Sequence, residues 1–124
     1  MKINIKATNI ELTSAINDYV NKRLEAIEKF VDEGKGHVYV EVAKTTNHHK
    51  QGELYKAEFN IKIEDKNYFT DSEKEDLYSA IDDAKEEIVK RIINTKKREK
   101  TLFRRGASKV KEIMKGISKH NPFS

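Results

Sequence analysis

Alternating apolar and polar residues at the start of the chain predict a short β-strand over residues 2–6, because period-two alternation is typical of a strand with one buried face. Apolar residues then recur at intervals of three and four, which predicts an amphipathic helix with Thr13 as its N-cap. The apolar stripe of this helix comprises Ile16, Tyr19, Val20, Leu24, Ile27 and Val31. We expect Gly34 and Gly36 to end the helix and to open a turn.

Three more strands are predicted between residues 37 and 71. Valines occupy alternate positions over residues 37–43, and the clearest strand pattern in the chain covers residues 55–63. The polar segment 44–53 between these strands predicts a loop. Residues 64–67 predict a hairpin turn, since Asp and Asn tolerate the backbone angles of tight turns. A short fourth strand is expected over residues 68–71.

A longer second helix is predicted to follow the last strand. Ser72 and Glu75 have the spacing of a capping box, with Ser72 as the N-cap. The buried stripe of the helix is predicted to comprise Leu77, Ala80, Ile81, Ala84, Ile88 and Ile92. Neither Pro nor Gly interrupts the pattern through Lys100, whereas we expect Gly106 to break the helix. A weaker apolar stripe follows at Ala107, Val110, Ile113, Met114 and Ile117.

The element order β-α-β-β-β-α predicts an α+β fold. A four-stranded sheet with one apolar face would bury both helices on that face. The helical crossover favours a parallel pairing of the first two strands, and the hairpin connections favour antiparallel pairing of the last three. We expect residues 1–100 to form one domain and residues 101–124 to form a basic tail, either helical or disordered.

Composition limits the classes of protein to which the chain can belong. The chain has 124 residues, of which 36% are hydrophobic and none is Cys. One hydrophobic core fits this size, and chemistry based on disulfides or thiolates is excluded. No segment approaches the ~20 apolar residues of a membrane-spanning helix. The alternating N-terminus lacks the apolar run of a signal peptide, so we expect a cytoplasmic protein.

Basic residues are concentrated near the C-terminus. From Lys90 to Lys119 the chain has 12 Lys/Arg against 2 Glu, a local charge of +10, whereas residues 1–89 have a charge of −6. The helix dipole favours cations only in its last turn and does not explain so long a run. The run predicts binding to a polyanion, either nucleic acid or an anionic membrane. Its candidate residues are Lys90, Arg91, Lys96, Lys97, Arg98, Lys100, Arg104, Arg105, Lys109 and Lys111.

The first helix carries three further cations, Lys22, Arg23 and Lys29. If the two helices lie side by side on the sheet, these cations extend the basic surface of the second helix. The alternative is that they are isolated surface charges balanced by Glu25 and Glu28.

Patterns typical of catalytic or metal sites do not occur in the sequence. His48 and His49 are adjacent in a polar segment without completing ligands, which indicates exposed loop histidines. Asp82 and Glu86 lie at helical spacing from basic residues of the same helix, with which they can pair. No phosphate-binding loop, nucleophile elbow or zinc spacing appears. We therefore expect no enzyme activity, no cofactor, no metal and no small-molecule substrate.

Two aromatic residues of the predicted strands have two possible orientations. Tyr39 and Phe69 face either solvent, where they could stack on nucleic-acid bases, or the core, and the alternation pattern leaves both possibilities open. Tyr78 lies beside the buried stripe of the second helix, where an aromatic ring at the rim of the core is typical.

Several stretches of the chain match one known family in register. They are KINIKATNIELTSAINDYVNKRLEAIEKF, VYVEVAK, and the segment from YKAEFNIKI into EDLYSAIDDAKEEIVKRI. In these stretches the chain resembles the ribosome hibernation-promoting factor and ribosome-associated inhibitor A family, whose members are also called ribosomal subunit interface proteins. The stretch DLYSAID is similar to the most recognisable helix opening of the family. The likeness covers residues 1–100.

This resemblance implies a fold similar to double-stranded RNA-binding domains. We also expect the free chain to be a monomer. The resemblance also implies binding to the small ribosomal subunit in the channel for mRNA and tRNA, where family members block initiation. Lys and Arg on the helices of the family contact rRNA phosphates. The corresponding positions here are Arg23, Lys90, Lys96, Arg98 and Lys100, and their basic neighbours are Lys22, Lys29, Arg91 and Lys97.

The chain departs from the family pattern at three points. Glu87 lies where relatives often have a basic residue. Long members carry a C-terminal dimerisation domain, for which this chain is too short, and one short class ends in an acidic tail, whereas this tail is basic. Our hypothesis that the tail follows rRNA or the mRNA path therefore rests on charge alone. The tail residues concerned are Arg104, Arg105, Lys109 and Lys111.

Two further functions are compatible with the sequence. The first is a module that binds an anionic membrane or a protein partner, since Leu102 and Phe103 accompany the cations of the tail. The second is a protein that binds free duplex RNA through the same charges.

Overall fold

The computed structural model describes residues 1–31, 35–45 and 52–120, with side chains through residue 106. The elements in chain order are β1 (Lys2–Thr8), α1 (Ser14–Glu28), β2 (Gly36–Thr45), β3 (Leu54–Ile63), β4 (Lys66–Lys74) and α2 (Leu77–His120). This order confirms the predicted β-α-β-β-β-α fold. The predictions for Gly34, His48 and His49 lie outside the described residues.

The four strands form one sheet in the order β1-β2-β3-β4. β1 and β2 are parallel, and the other two pairings are antiparallel, as the connections predicted. Each strand extends beyond its predicted bounds, because the ladder of paired residues continues past the apolar positions. At the end of β4, for example, Lys74 still pairs with Tyr55.

The core lies on one face of the sheet, and both helices contribute to it. Along β2 and β3, buried residues such as Val40 and Phe59 alternate with more exposed ones. α1 contributes Val20 and Leu24, and α2 contributes residues as far as Ile92. This arrangement confirms the prediction of two helices on one face of the sheet. The buried apolar residues are Ile16, Val20, Leu24, Ile27, Val38, Val40, Val42, Ala57, Phe59, Ile61, Ile63, Tyr68, Leu77, Ala80, Ile81, Ala84, Ile88 and Ile92.

α1 begins and ends for local reasons. The Thr13 hydroxyl accepts a hydrogen bond from the backbone N–H of Ile16 at 3.2 Å, which confirms the predicted N-cap. The helix ends at Glu28, so Val31 follows the helix, where its side chain packs on the core half-buried. Gly36 is the first residue of β2, and a Cβ at this position would lie 2.6 Å from Val31 Cγ1. A larger residue at position 36 would therefore displace the Val31 side chain.

The predicted capping box at Ser72 is wrong. Ser72 belongs to β4, because the pairing with β3 holds the backbone extended through Lys74. Its hydroxyl is largely buried and donates to Asp83 Oδ2 at 2.6 Å. The cap of α2 is Asp76, whose Oδ2 accepts a hydrogen bond from the Ser79 N–H at 3.0 Å.

α2 continues through Gly106 to His120, so the predicted break at Gly106 does not occur. One glycine in a helix costs about 1 kcal/mol relative to alanine, which good helix formers on either side can offset. Contacts between Cα atoms divide the chain into two compact units, Met1–Ile92 and Ile93–Ser124. The first unit contains the whole sheet, α1 and the beginning of α2. The second unit contains the remainder of α2.

Glu64, in the turn between β3 and β4, has a left-handed backbone with φ +57°. This conformation costs roughly 1–2 kcal/mol for a residue with a Cβ, more than the flexibility of glycine costs. We expect Glu64→Gly to raise the free energy of unfolding by about 0.5 kcal/mol, measured by chemical denaturation. The control is Asp65→Gly, because Asp65 has no positive φ and glycine there adds only chain entropy. Equal destabilisation by both substitutions would contradict this prediction.

Candidate nucleic-acid interface

The three predicted cations of the first helix have different surroundings. Lys22 in α1 and Lys29 directly after it are exposed, and neither forms an ion pair within the described part of the chain. Arg23 is half-buried, with 38% of its side chain exposed. Lys22 and Lys29 are thus available to an external anion, whereas Arg23 already has partners inside the first unit.

Arg23 belongs to a cluster of four side chains that joins α1 to α2. Its Nε lies 2.9 Å from Asp82 Oδ1, although the N–H direction is not aligned for a hydrogen bond. One terminal nitrogen of Arg23 donates to the Tyr19 hydroxyl at 2.9 Å, and this hydroxyl donates to Asp82 Oδ1 at 2.7 Å. We call Tyr19, Arg23, Tyr78 and Asp82 the interhelical cluster.

Aromatic packing completes the interhelical cluster. The guanidinium carbon of Arg23 lies 4.6 Å from the centre of the Tyr19 ring, which is within the range of a cation–π contact. The Tyr19 ring meets the Tyr78 ring edge-to-face with 4.7 Å between their centres. Tyr78 is therefore a rim aromatic, as expected. Asp82 pairs across the helices with Arg23, and not with a basic residue of its own helix as the sequence predicted.

The pKa of the Tyr19 hydroxyl is raised above 10.0, mainly by burial. The hydrogen bond that this hydroxyl donates to Asp82 also raises it. The folded state thus favours the neutral phenol, so its contribution to stability is complete below pH 10 and is lost as the pH rises through and beyond 10. We expect the difference in unfolding free energy between the wild type and Tyr19→Phe to shrink from about pH 9 to about pH 11. Chemical denaturation at each pH measures this difference.

Tyr39→Phe is the control for this titration, since Tyr39 is exposed and its hydroxyl forms no hydrogen bond to a described residue. A difference between the wild type and Tyr19→Phe that stays constant with pH would show that folding does not raise the pKa of the Tyr19 hydroxyl.

Lys90 and Arg91 are the predicted phosphate contacts of α2 that lie in the first unit. Lys90 is exposed, and its Nζ lies 3.7 Å from Glu87 Oε1, a surface ion pair of small energetic value. Glu87 thus lies beside one of the predicted phosphate contacts. Arg91 donates a hydrogen bond from Nη1 to the backbone carbonyl of Phe69 and so connects α2 to β4.

The second unit presents a dense basic surface on one helix. Over residues 96–106 every side chain is exposed, and Glu99 is the one acid. Leu102 and Phe103 are exposed to 57% and 78% within this stretch. The side chains of Lys109 and Lys111 lie outside the described residues. The cations displayed here are Lys96, Lys97, Arg98, Lys100, Arg104 and Arg105.

The face of the sheet opposite the helices is open, and we call it the open face. Tyr39 on β2 and Phe69 on β4 are 53% and 46% exposed there, which resolves the two orientations left open by the sequence. The residues that pair with them on β3 and β1 are Asn60 and Asn4. Sequence reasoning located both aromatics on strands, but their common row depends on the register of four strands.

Across the described ranges, no group of three or more His, Asp or Glu side chains is arranged to hold a metal ion. The helices within those ranges include none that is both long and apolar enough to cross a membrane. The functional candidates that remain are charged and aromatic surface residues.

Residues 3–100 match the family model of the Sigma 54 modulation protein / S30EA ribosomal protein family. The fold is similar to the crystal structure of the Thermus thermophilus Protein Y N-terminal domain, with 25% sequence identity and a TM-score of 0.63 over 74% of this chain and 96% of that chain. It is also similar to a ribosomal subunit interface protein from Coxiella burnetii, with 12% identity and a TM-score of 0.63 over 77% of this chain and 98% of that chain. The second likeness shows a shared fold. No curated protein matches the chain.

Proposed function

Since this chain belongs to the Sigma 54 modulation protein / S30EA ribosomal protein family, as its resemblance to the hibernation factors predicted, we propose that it binds the small ribosomal subunit and inhibits translation. It acts without catalysis, by occupying the channel for mRNA and tRNA. The partner is a cytoplasmic particle, so the protein acts in the cytoplasm, and it is a monomer when free. Its ligand is rRNA, whose phosphates pair with Lys and Arg on the helices.

The exposed basic surface of α2 is the observation that carries this proposal. Six cations and one acid occupy residues 96–105, and all of these side chains are exposed. A structural role would require partners for so much like charge, because neighbouring cations on one helix repel each other. Phosphates supply the compensating charge and release condensed counterions when they are bound. The surface therefore fits a polyanion that extends along a helix.

Arg23 has a more specific role in this proposal. Its guanidinium is held between Tyr19 and Asp82, so its orientation is fixed before any ligand arrives. Tyr19 and the neighbouring carboxylate raise the pKa of Arg23, which keeps it charged. A phosphate that contacts Arg23 therefore meets a positioned donor, and Asp82 limits the gain in binding by competing for it.

Co-sedimentation with purified small subunits across a salt series tests the proposal. The logarithm of the binding constant should fall by roughly 0.7–0.9 for each phosphate contact per tenfold rise in salt.

Deletion of residues 101–124 tests the contribution of the tail. The shortened chain loses Arg104, Arg105 and the cations that follow, so its affinity and its salt slope should both decrease. Unchanged affinity and slope would show that the tail does not contact the subunit.

A second candidate function is supported by the exposure of Leu102 and Phe103 beside these cations. Apolar and basic side chains together suit the headgroup region of an anionic membrane. Flotation with vesicles that contain anionic lipids separates the two functions, because a protein that does not bind the vesicles stays in the dense fraction. Binding to vesicles without binding to small subunits would favour the membrane function.

A further inference from the structure

The open face carries a row of two amide and two aromatic side chains. Asn4, Tyr39, Asn60 and Phe69 pair in register across all four strands. Amides therefore alternate with aromatic rings along one line. The two rings are separated by one strand, and adjacent strands lie about 4.8 Å apart. The row thus offers two aromatic surfaces with an amide between them.

A cavity of about 250 Å³ lies over this row. Its lining includes Tyr39 and Phe69, the amides Asn4 and Asn60, and the neighbouring charged side chains Lys6, Glu41 and Glu58. Sites for drug-sized ligands are larger, at roughly 300–1,000 Å³, so the cavity suits a smaller group such as one planar ring. Aromatic walls and amide hydrogen-bonding groups are what a nucleobase requires, because every base has a flat face for stacking and polar edges.

The charges beside the row place the phosphate of such a ligand on one side. The adjacent register row toward the start of β1 contains Lys2, His37 and Lys62. Within the described residues, neither Lys2 nor Lys62 forms an ion pair. These lysines are available for a phosphate next to the aromatic row.

The row on the other side is acidic, but cations already neutralise much of it. Glu41 lies 3.8 Å from Lys6, and Glu58 lies 2.9 Å from Lys56. Asp71 lies 3.6 Å from the same Lys56. Lys6 and Lys56 are thus engaged by these acids, whereas Lys2 and Lys62 on the opposite side of the aromatic row would be the cations that meet a phosphate.

We propose that the open face binds an unpaired base of single-stranded RNA, stacked between Tyr39 and Phe69, with the Asn60 amide at the edge of the base. The inference rests on the proposed function for its ligand class and adds a second contact surface to the cations of the helices. Duplex RNA does not fit this site, because its bases are stacked inside the helix. The site therefore distinguishes single strands from duplexes, which the helix cations alone do not.

The experiment measures two affinities of the full chain, one for a short mixed-sequence single-stranded RNA and one for a blunt duplex of the same sequence. The double variant Tyr39→Ala and Phe69→Ala loses the stacking of a base on an aromatic ring. It should bind single-stranded RNA about 5- to 150-fold more weakly than the wild type. Duplex affinity should stay unchanged. Phe103→Ala is the matched control, since it removes an exposed aromatic ring outside the sheet. It should leave the ratio of single-strand to duplex affinity unchanged.

A spectrum of the wild-type protein makes the test independent of any variant. Single-stranded RNA should shift the side-chain amide NMR signals of Asn60, whereas the duplex should leave them in place. The proposal is overturned if these signals do not move, if the aromatic variant binds single strands as the wild type does, or if it loses single-strand and duplex affinity equally. A failure of the chain to sediment with small subunits would instead oppose the proposed function, and both RNA affinities would remain measurable.

Discussion

Replacement of Lys90, Lys96 and Arg98 by Gln is expected to weaken binding to the small subunit roughly 100-fold. Each of these side chains is exposed and would contact a phosphate, and a net loss of about 1 kcal/mol per charged contact gives this factor over three contacts. The salt dependence should become shallower by about 2–3 in log–log slope, because fewer counterions are released. Sedimentation with purified small subunits at several salt concentrations measures both effects.

A charge-matched control separates a local contact from a general effect of charge. Lys35, Lys66 and Lys74 are exposed lysines outside both helices, and their replacement by Gln removes the same net charge. This control should retain most of the affinity. If both variants lose affinity equally, the helix cations contribute through net charge alone and not through local phosphate contacts. If the helix variant binds normally while its circular dichroism remains that of the wild type, the proposed contacts are wrong.

Phe59→Ala is expected to have the largest effect on stability of the substitutions considered. Phe59 is fully buried at the centre of β3, between Val40 on β2 and Thr70 on β4. Its removal loses the transfer free energy of an aromatic ring and leaves a cavity that neighbouring strands cannot close, at a cost of about 3–5 kcal/mol. Chemical denaturation measures the decrease in unfolding free energy. A small domain that loses this much free energy is close to unfolding.

Phe69→Ala is the matched control, since it removes the same ring from the open face of the adjacent strand. Phe69 is 46% exposed, so we expect a loss below about 1 kcal/mol. A large loss at Phe69 would mean that the open face is covered in the folded protein. A small loss at Phe59 would mean that the core has a different centre.

Much of the fold could be predicted from the sequence because its signals are local. The alternation over residues 55–63 and the stripe from Ile16 to Ile27 each depend on neighbouring residues alone, and both elements and their buried faces are confirmed. The capping box at Ser72 failed for the opposite reason. Pairing of β4 with β3 extends the strand to Lys74, and no local pattern reveals how far a ladder continues.

The candidate site, like the fold, could be predicted from the sequence where the signal is local and not where it depends on tertiary contacts. The charge run of the second helix is visible in the sequence, and the exposure of its described cations follows from the cost of burying unpaired charges. The partnership of Arg23 with Asp82 was missed, because it depends on how two helices lie on the sheet. The row that contains Tyr39 and Phe69 depends on strand register, which is fixed only when all four strands are aligned.

The hydrogen bond from Arg91 to the Phe69 carbonyl has a consequence for self-association. β4 is an edge strand, and edge strands expose unpaired backbone groups on which strands from other molecules can assemble into aggregates. Arg91 occupies one of these acceptors with a charged side chain, so it acts as an aggregation gatekeeper as well as a basic residue. We therefore expect a substitution at Arg91 to lower the concentration of monomeric protein, and an apparent loss of binding there would include this effect.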